Sequence, residues 1–306
     1  MNARVFVAGH AGLVGSALVR ALKARGKAEI LTVPRSALDL ENQQGVFEYF
    51  ERERPEYVYL AAAKVGGIVA NMRYPADFIR SNLSIQCNVI EAAWRSGVRK
   101  LLFLGSACVY PRFAKQPITE DQLLTGPLEP TNAAYSVAKI AGIEMCRAYN
   151  EQRGTNFISV MQTNLYGPGD NFDPETSHVL PALIRKFDNA RQRRDASVTL
   201  WGSGQPRREF LHVDDMASAS LLLMDRYEGS DPINIGCGED LTINELAGLV
   251  KHAVGYEGSI EWDVSRPDGM PRRLLNVSKL LAFGWRPQIP LDKGIASTYE
   301  WYLANK

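Results

Sequence analysis

Hydrophobic residues follow two alternating patterns along the first two-thirds of the chain. Short runs of consecutive aliphatic and β-branched residues are typical of buried strands, and longer stretches with apolar residues three or four positions apart are typical of helices. The predicted strands are 4–8, 29–33, 57–61, 100–105 and 156–162, and the predicted helices are 13–25, 41–53, 75–96 and 132–153. This alternation predicts an α/β fold with a doubly wound parallel sheet of the Rossmann type, which binds ligands at the carboxyl ends of its strands.

The pattern becomes irregular after residue 168, where Pro168, Pro174 and Pro181 interrupt it. It resumes at 208–216 and 233–238, and "TINELAGLVKHAV" predicts a further helix before the basic loop "RPDGMPRRL". We therefore expect one compact unit with a smaller C-terminal substrate lobe. The expected dinucleotide-binding domain is 1–165, to which 205–237 returns, and the expected substrate lobe is 166–204 with 238–306.

Composition excludes several classes of function. The chain has 306 residues with 35 basic and 34 acidic side chains, so we expect no nucleic-acid or membrane-surface partner, since both require a basic excess. No apolar run is long enough to span a bilayer, and Arg4 leads directly into the first strand, so no signal peptide is expected. Four histidines without an HExxH pattern predict no metal site, and four cysteines without metal-ligand spacing predict a reducing, cytoplasmic location.

A glycine-rich turn follows the first predicted strand. In "VFVAGHAGLVGSAL", Gly9, Gly12 and Gly15 are three residues apart between a strand and a helix. Glycines allow a sharp turn and a close approach of the backbone to a pyrophosphate, which the free N–H groups at the start of the helix can bind. The turn therefore predicts a dinucleotide cofactor.

The residues after the second predicted strand select between NAD and NADP. An acidic residue there would accept hydrogen bonds from the ribose 2′-hydroxyl and repel a 2′-phosphate. In "TVPRSALDL" no acid precedes Asp39, and Arg35 and Ser36 occupy the preceding positions. This favours NADP, with Arg35 as the phosphate partner. The alternative is that Arg35 is an ordinary solvated surface arginine.

A tyrosine, a lysine and a serine predict carbonyl chemistry. Tyr135 and Lys139 are four residues apart on one face of a predicted helix, and Ser106 follows the fourth predicted strand. The lysine charge is expected to lower the phenol pKa from its ordinary value of about 10, so that Tyr135 can exchange a proton with a carbonyl oxygen. Ser106 can donate a hydrogen bond to that oxygen. Together these residues predict a reductase centre.

These residues resemble the extended short-chain dehydrogenase/reductases, and further segments resemble the fucose synthase family within them. Those segments are "YLAAAKVGGIVAN", "LTGPLEPTNAAYSVAKIAG", "TNLYGPGDNF" and "WGSGQPRREFLHVDDMA". The resemblance implies an NADPH-dependent 3,5-epimerase/4-reductase that converts GDP-4-keto-6-deoxy-D-mannose to GDP-L-fucose. It also implies a homodimer, in which the helices predicted at 75–96 and 132–153 form a four-helix bundle with those of a second copy.

Cys108 lies two residues after Ser106, and its role is open from the residues alone. It is either a small buried residue or an acid–base group that reaches the same sugar. His178 in "PETSHVLP" is, by itself, more typical of a surface residue. The resemblance implies that Cys108 and His178 are the epimerisation pair, because inversion at C3 and C5 requires an acid and a base on opposite faces of the ring. Which of them removes the proton stays open.

The resemblance also implies two sets of binding residues. The substrate set is Lys186, Trp201, Arg208 and Asp268, with Asn164 and Lys64 as weaker candidates. The cofactor set is Gly9, His10, Gly12, Leu13, Val14, Gly15, Arg35, Asp39, Leu40, Leu104, Gly105, Ser106, Ala107, Lys139, Gln162, Asn164, Leu165 and His178.

Some positions depart from the family pattern and leave alternatives. Ala11 stands where relatives often carry a basic residue, and Ala107 and Gln162 replace a usual serine and proline near the sugar. These changes are compatible with another GDP-4-keto-6-deoxy sugar, such as a heptose or a colitose precursor, or with a reductase that lacks epimerase activity. A 4,6-dehydratase is disfavoured because Ala107 and Cys108 are not acidic, and a non-catalytic dinucleotide sensor is disfavoured because Tyr135 and Lys139 are both present.

Overall fold

The computed structural model describes residues 3–266 and 268–306. In this part of the chain the strands are β1 Ala3–Ala8, β2 Ala28–Leu31, β3 Tyr57–Leu60, β4 Lys100–Leu104, β5 Phe157–Gln162, β6 Asn164–Tyr166, β7 Ser197–Trp201, β8 Arg207–Arg208, β9 Phe210–His212, β10 Ile233–Ile235, β11 Leu241–Thr242, β12 Ser259–Asp263 and β13 Arg272–Arg273. The helices are α1 Leu13–Arg25, α2 Gln43–Glu53, α3 Ile68–Arg73, α4 Pro75–Arg95, α5 Ala133–Arg153, α6 Val179–Arg193, α7 Val213–Arg226, α8 Ile243–Val254, α9 Ser278–Ala282 and α10 Leu291–Asn305.

Six strands form a parallel sheet in the order β2-β1-β3-β4-β5-β10. The chain places β2 on one side of β1 and then crosses to place β3 on the other side. The carboxyl ends of β1 and β3 are therefore a topological switch point, where the loops diverge and leave a crevice for a ligand. The doubly wound α/β fold predicted from the sequence is confirmed.

Each face of this sheet packs against its own helices. Successive side chains of a strand point to opposite faces, so that Phe6 joins the core formed with α2, α4 and α5, whereas Val7 joins the core formed with α1 and α7. Both side chains are at most 1% exposed. Burial on both faces explains why the strands appear in the sequence as unbroken apolar runs.

A third core lies in the C-terminal part of the chain. It is formed by α6, α8 and α10, with Phe187, Leu246 and Ile295 fully buried. Two small sheets lie beside it. The first joins β7 to β12, and the second joins β8 to both β11 and β13. Strand β8 therefore belongs to a small separate sheet, whereas β10 belongs to the six-stranded sheet.

The N-terminal predictions agree with the structure to within two residues, whereas helix α6 was not predicted. The sequence predicts that Pro181 interrupts regular secondary structure, whereas the structure places it in the first turn of α6. Proline is tolerated there because the N–H groups of the first turn have no partner within the helix. The expectation of an irregular segment around Pro181 was therefore wrong.

No helix of residues 3–266 and 268–306 combines the length and the apolar character that a membrane-crossing helix requires.

A buried carboxyl lies in the loop after β6. Asp170 is 8% exposed; its Oδ1 accepts a hydrogen bond from the Asn171 N–H at 2.7 Å, and its Oδ2 is buried without a partner in the described residues. Desolvation raises the pKa of Asp170 to about 7, although the Asn171 hydrogen bond acts in the opposite direction. Because this pKa is raised on folding, the folded protein holds a proton that the unfolded chain releases.

Replacing Asp170 by asparagine is expected to remove a pH dependence of stability. The wild-type contribution is fully present below the ordinary pKa near 4 and is lost as the pH rises through 7. Between pH 4 and pH 8 the free energy of unfolding should therefore shift in favour of Asp170→Asn by up to about 4 kcal/mol, the equivalent of three pKa units. Urea unfolding at several pH values measures it. Parallel stability curves for the two proteins would contradict the assignment.

Candidate active site

The glycine turn lies at the switch point of the sheet. Gly9 has φ +85°, and a Cβ added to it would lie 2.6 Å from the backbone nitrogen of Ala62, in the loop that follows β3. A Cβ added to Gly15 would lie 2.0 Å from the Gly9 carbonyl oxygen. Only glycine fits at these two positions. At Gly12 the nearest atom to an added Cβ would be 3.6 Å away, so a side chain would fit there. The absence of a side chain at Gly12 leaves room for a ligand to approach the turn.

Helix α1 begins at this turn with free backbone donors. Gly12 is the N-cap, no side chain caps the helix, and its first turn has no acidic residue. The N–H groups of Leu13, Val14 and Gly15 therefore remain available, and the positive end of the helix dipole favours an anion there. The half-exposed His10 flanks the same turn. These residues fit the pyrophosphate of a dinucleotide.

The residues after β2 carry a group of exposed charges. The Arg35 side chain is 78% exposed, and its guanidinium lies 3.2 Å from Glu41 and 3.9 Å from Asp39. Arg80, on α4, reaches the same Glu41 at 2.9 Å, and no sequence pattern indicated it. The Leu40 carbonyl accepts a hydrogen bond from Asn88 of α4 at 2.9 Å, which fixes this segment. Arg35 thus lies at the edge predicted for it, close to two carboxylates.

Ser106 and Tyr135 meet at the carboxyl end of β4. The Ser106 hydroxyl oxygen accepts a hydrogen bond from the Cys108 N–H at 3.2 Å, and the same hydroxyl is near enough to the Tyr135 phenol to lower its pKa. Tyr135 is the third residue of α5, and its ring packs edge-on against Phe78 at a centroid distance of 6.3 Å. Ser106 and Tyr135 therefore lie near each other, and their joint role at a carbonyl oxygen stays a prediction.

Lys139 lies beneath the tyrosine, and its predicted effect on the phenol is wrong in this structure. Its Nζ donates to the Leu104 carbonyl at 2.7 Å and lies 4.8 Å from the Phe103 ring centroid and 5.9 Å from that of Tyr135. Burial lowers the pKa of Lys139 to about 7. The pKa of Tyr135 is raised, first by burial and then by negative charge at Cys108, while the Ser106 hydrogen bond lowers it. Lys139 Nζ is hydrogen-bonded to the Leu104 carbonyl and is not among the causes of the Tyr135 shift, so desolvation dominates.

Cys108 is held from several directions. Besides the bond from its N–H to Ser106, its carbonyl accepts a hydrogen bond from the Ser136 hydroxyl at 2.9 Å. The Arg273 guanidinium donates to its sulfur at 3.3 Å. The thiol is half-buried, whereas Cys146 is 1% exposed inside the core. Cys108 thus differs from a packing cysteine in having a cation on its sulfur.

Two arginines lie side by side next to this sulfur. Arg208 on β8 and Arg273 on β13 are paired in register on parallel strands. Burial lowers the pKa of Arg208 to about 10, and the charge of Arg273 adds to the effect, while Cys108, Glu129 and Asp268 oppose it. Arg208 was predicted from the sequence. Arg273 was missed, because the segment "RPDGMPRRL" indicated only a basic loop.

The remaining substrate candidates form a second group near the end of β7. Trp201 is 57% exposed, and its ring centroid lies 5.7 Å from Lys186 Nζ and 5.1 Å from the Arg266 guanidinium carbon. Both carboxylate oxygens of Asp268 accept hydrogen bonds from Ser203, one from the N–H and one from the hydroxyl, each at 2.7 Å. Asp268 therefore fixes the turn that follows Trp201. Its predicted bond to a ribose or base stays a prediction.

His178 is the N-cap residue of α6. Its side chain is exposed to solvent and makes no hydrogen bond to any other side chain in 3–266 or 268–306, while desolvation by the surrounding protein lowers its pKa. Nearby, the Gly67 N–H donates to the Thr176 carbonyl at 3.1 Å, which joins this loop to the start of α3. A Cβ added to Gly269 would lie within 3.9 Å of both Ile68 of α3 and Arg208. Helix α3 thus lies between the His178 loop and the arginines, but direct contact of His178 with Cys108 is not observed.

The last predicted cofactor residues follow β4 and β5. The Gly105 N–H donates to the Val160 carbonyl at 2.8 Å, and Gln162 Nε2 donates to the Gly105 carbonyl at 3.0 Å. Asn164 Nδ2 donates to the Glu209 carbonyl at 2.9 Å. Ala107 and Leu165 are packed beside these residues in the two cores of the sheet. Gln162 thus ties the turn before Ser106 to the end of β5, which a proline at this position could not do through its side chain.

Comparisons with known proteins cover the whole chain. The NAD dependent epimerase/dehydratase family profile matches residues 5–236. The chain is 57% identical over 303 residues to probable GDP-L-fucose synthase 1 of Oryza sativa subsp. japonica, covering 99% of this chain and 92% of that protein. A GDP-L-fucose synthetase structure from Naegleria fowleri bound to NADP has a TM-score of 0.93 at 31% identity, with 100% and 95% of the two chains covered. A GDP-6-OMe-4-keto-L-xylo-heptose reductase structure from C. jejuni has a TM-score of 0.94 at 40% identity, with 100% and 99% covered.

Proposed function

The chain belongs to the GDP-L-fucose synthases of the NAD dependent epimerase/dehydratase family, and we propose how its residues divide the work of that activity. The reaction converts GDP-4-keto-6-deoxy-D-mannose to GDP-L-fucose by epimerisation at C3 and C5 and reduction at C4. One observation carries the assignment of residues. The half-buried Cys108 lies beside Ser106 and Tyr135, so that an acid–base group for the ring carbons adjoins the groups that serve the ketone.

The cofactor is NADP, and this chain has the residues to hold it. The free N–H groups at the start of α1 and the open face of Gly12 suit its pyrophosphate, and Arg35 suits its 2′-phosphate. When bound as NADPH, it supplies the hydride that reduces C4. Leu40, Ala107 and Gln162 are proposed to line its remaining surface.

Replacing Arg35 by alanine is expected to raise KM for NADPH about tenfold and to leave KM for NADH unchanged. A charge-assisted hydrogen bond to the phosphate contributes about 1.5 kcal/mol at an exposed site, and NADH lacks that phosphate. Steady-state kinetics with both nucleotides measures the effect. Arg52→Ala is the matched control, because Arg52 is an exposed arginine on α2 that pairs with Glu53. An equal change for both nucleotides would contradict this role of Arg35.

At C4, Tyr135 is the proposed proton donor. Its raised pKa keeps the phenol protonated at neutral pH, which is the form required when the ketone is reduced to an alcohol. The Ser106 hydroxyl lies near that phenol and can donate a hydrogen bond to the same oxygen, orienting the C4 carbonyl toward Tyr135. Lys139 lies beneath the ring and fixes the end of β4 through the Leu104 carbonyl.

At C3 and C5, Cys108 and His178 are the proposed acid–base pair. The C4 ketone acidifies the adjacent C–H bonds, so that a base can take the proton while the electron pair moves onto the carbonyl oxygen as an enolate. The enolate then collapses, and the second group returns a proton to the opposite face of the carbon. The Arg273 guanidinium donates a hydrogen bond to the Cys108 sulfur, and the His178 imidazole is exposed to solvent. Which of the two removes the proton stays open.

The nucleoside diphosphate is proposed to bind between the two groups of cationic residues. Arg208 is close to Cys108 on one side and to Asp268 on the other, so it connects the reacting ring to the Trp201 turn. Guanidinium groups bind phosphate oxygens in a bidentate manner. Near the end of β7, the Trp201 ring offers a surface for stacking and Lys186 offers a positive charge.

A substrate panel tests the choice of sugar. With NADPH, kcat/KM is expected to be highest for GDP-4-keto-6-deoxy-D-mannose, followed by the GDP-4-keto-heptoses and then the UDP-linked ketones. The similarity to a heptose reductase structure makes the heptoses the sharpest comparison. A preference for a heptose together with an unchanged configuration at C3 and C5 of the product would overturn the proposal in favour of a simple reductase.

Three further assignments are proposals. The division into 1–165 with 205–237, and 166–204 with 238–306, is supported by β10 lying in the main sheet and by the separate core of α6, α8 and α10. A homodimer through α4 and α5 is supported by partly exposed apolar residues there, including Val137 at 44% exposure, and light scattering tests it. A reducing, cytoplasmic location is supported by four free cysteines.

A further inference from the structure

The guanidinium of Arg273 is buried without an ordinary partner. Arg273 is 9% exposed, and among the described residues no carboxylate lies within 4 Å of its guanidinium nitrogens. Its NH1 donates to Cys108 Sγ at 3.3 Å, and its Nε is buried with no hydrogen-bond partner in 3–266 or 268–306. A buried cation without a counter-ion is costly, so an anion is expected beside it.

A second cation increases the need for that anion. Arg208 is adjacent to Arg273 across the β8–β13 pair, and like charges at this separation repel each other. The Arg273 charge is one of the causes that lower the pKa of Arg208, while Cys108 and the carboxylates of Glu129 and Asp268 act in the opposite direction. The Cys108 sulfur is the group of the described chain that Arg273 contacts and that can carry a negative charge. A thiolate would satisfy both the hydrogen bond and the charge.

The backbone of Cys108 is held on both sides, which fixes the point from which its side chain reaches Arg273. Its N–H donates to Ser106 on the turn after β4, and its carbonyl accepts from Ser136 on α5. Arg273 lies on β13, an element remote in sequence, so the contact joins the substrate lobe to the turn that carries the thiol. The same contact therefore forms only in the folded protein.

We propose that Arg273 is a positioning residue that holds Cys108 in its thiolate form by donating a hydrogen bond and a positive charge to the sulfur. This rests on the proposed function, in which Cys108 exchanges a proton with the sugar ring. Arg273 itself transfers no proton, because a guanidinium stays charged at neutral pH. Its effect is on the fraction of Cys108 that is deprotonated before the substrate reacts.

Alkylation by iodoacetamide tests the proposal without any turnover, since the thiolate is the reactive form. The rate at Cys108 is followed against pH by mass spectrometry of the tryptic peptide 101–112, in which Cys108 is the single cysteine. An opposite charge at this distance shifts a titration by at least about one pH unit. The midpoint of the profile is therefore expected to rise by about one unit in Arg273→Gln and in Arg273→Met, and to stay within about half a unit in Arg273→Lys.

Two controls keep the result interpretable. Arg272→Gln changes the neighbouring arginine on β13, which pairs with Asp240, and should leave the profile as in the wild type. The buried Cys146, in peptide 140–147, reports unfolding, because it should resist alkylation in every folded variant. Two neutral variants are tested because glutamine keeps the polarity of Arg273 and methionine keeps its apolar stem. Either variant, if it folds, shows whether the charge of Arg273 affects alkylation of Cys108.

An unchanged midpoint in the neutral variants would overturn the proposal, and so would an equal shift in Arg273→Lys, since the charge would then be irrelevant. If only KM for the nucleotide sugar changed, Arg273 would serve the phosphates alone and the proposal would also fall. If the proposal holds, solvent exchange into the keto sugar should fall about tenfold in Arg273→Gln and recover about one pH unit higher. Because alkylation requires no sugar, its outcome is independent of which substrate the enzyme uses.

Discussion

Replacing Tyr135 by phenylalanine is expected to lower the rate of NADPH oxidation by about 10² to 10⁴, the range for the loss of a positioned proton donor. The phenol is the group that can protonate the C4 oxygen, and its raised pKa makes it a donor at neutral pH. Phenylalanine retains the ring that packs against Phe78 and above Lys139, so the fold should be retained. Proton exchange at C3 and C5 should change by less than about tenfold, because Cys108 and His178 are untouched.

A matched variant separates the phenol's role from the general loss of a hydroxyl. Tyr227→Phe makes the same chemical change at the end of α7, where the hydroxyl donates to the Asp231 carbonyl. This end of α7 lies beside Lys100 at the beginning of β4, at the edge of the sheet opposite to Ser106. Tyr227→Phe should keep wild-type NADPH oxidation. Comparable losses in both variants would exclude Tyr135 as the proton donor.

Replacing Cys108 by alanine is expected to have the converse effect. Exchange of the ring protons with solvent should fall by about 10² to 10⁴, whereas NADPH oxidation should stay within about tenfold of the wild type. The reduced product should then keep the substrate's configuration at C3 and C5, which proton NMR coupling constants reveal. Serine should not restore exchange, since its hydroxyl does not ionise near neutral pH.

Cys237→Ala is the control for Cys108→Ala. Its thiol is also half-buried, but it hydrogen-bonds to the carbonyls of Phe210 and Glu239, and no hydrogen bond to a cationic side chain of residues 3–266 or 268–306 reaches it. Burial raises the pKa of Cys237 to about 12, so this thiol stays protonated. The variant should exchange and reduce as the wild type does. An exchange defect in Cys237→Ala equal to that of Cys108→Ala would indicate a structural effect of losing a thiol.

The sequence was sufficient for the parts of the fold that local patterns determine. The parallel strands are unbroken apolar runs because both faces of the sheet are covered, and the helices between them end at glycines such as Gly26 and Gly154 with positive φ. The meeting of Ser106 with Tyr135 also followed, because each is at a fixed place relative to a strand end or a helix start. In these cases the spacing of residues along the chain is enough to predict where they lie in the fold.

The remaining parts depend on contacts between distant segments. The position of Arg273 at the sulfur requires β13 to pair with β8, and a strand of two residues has no recognisable pattern. The expected lowering of the Tyr135 pKa by Lys139 is not seen, because burial of the phenol dominates and Lys139 Nζ donates to the Leu104 carbonyl at the end of β4. Helix α6 was missed because Pro181 was expected to break a helix. Pro181 lies in the first turn of α6, where a proline is tolerated. Tertiary structure determined each of these outcomes.

The proposed mechanism requires a thiol and an imidazole to move protons at the ring carbons while a phenol protonates the carbonyl oxygen. Incubating the enzyme with GDP-4-keto-6-deoxy-D-mannose in deuterated water without NADPH tests this directly, with the label read by NMR. We expect deuterium at both C3 and C5 for the wild type and for Tyr135→Phe, and none above background for Cys108→Ala. No label with the wild type, or equal labelling with Cys108→Ala, would contradict the account.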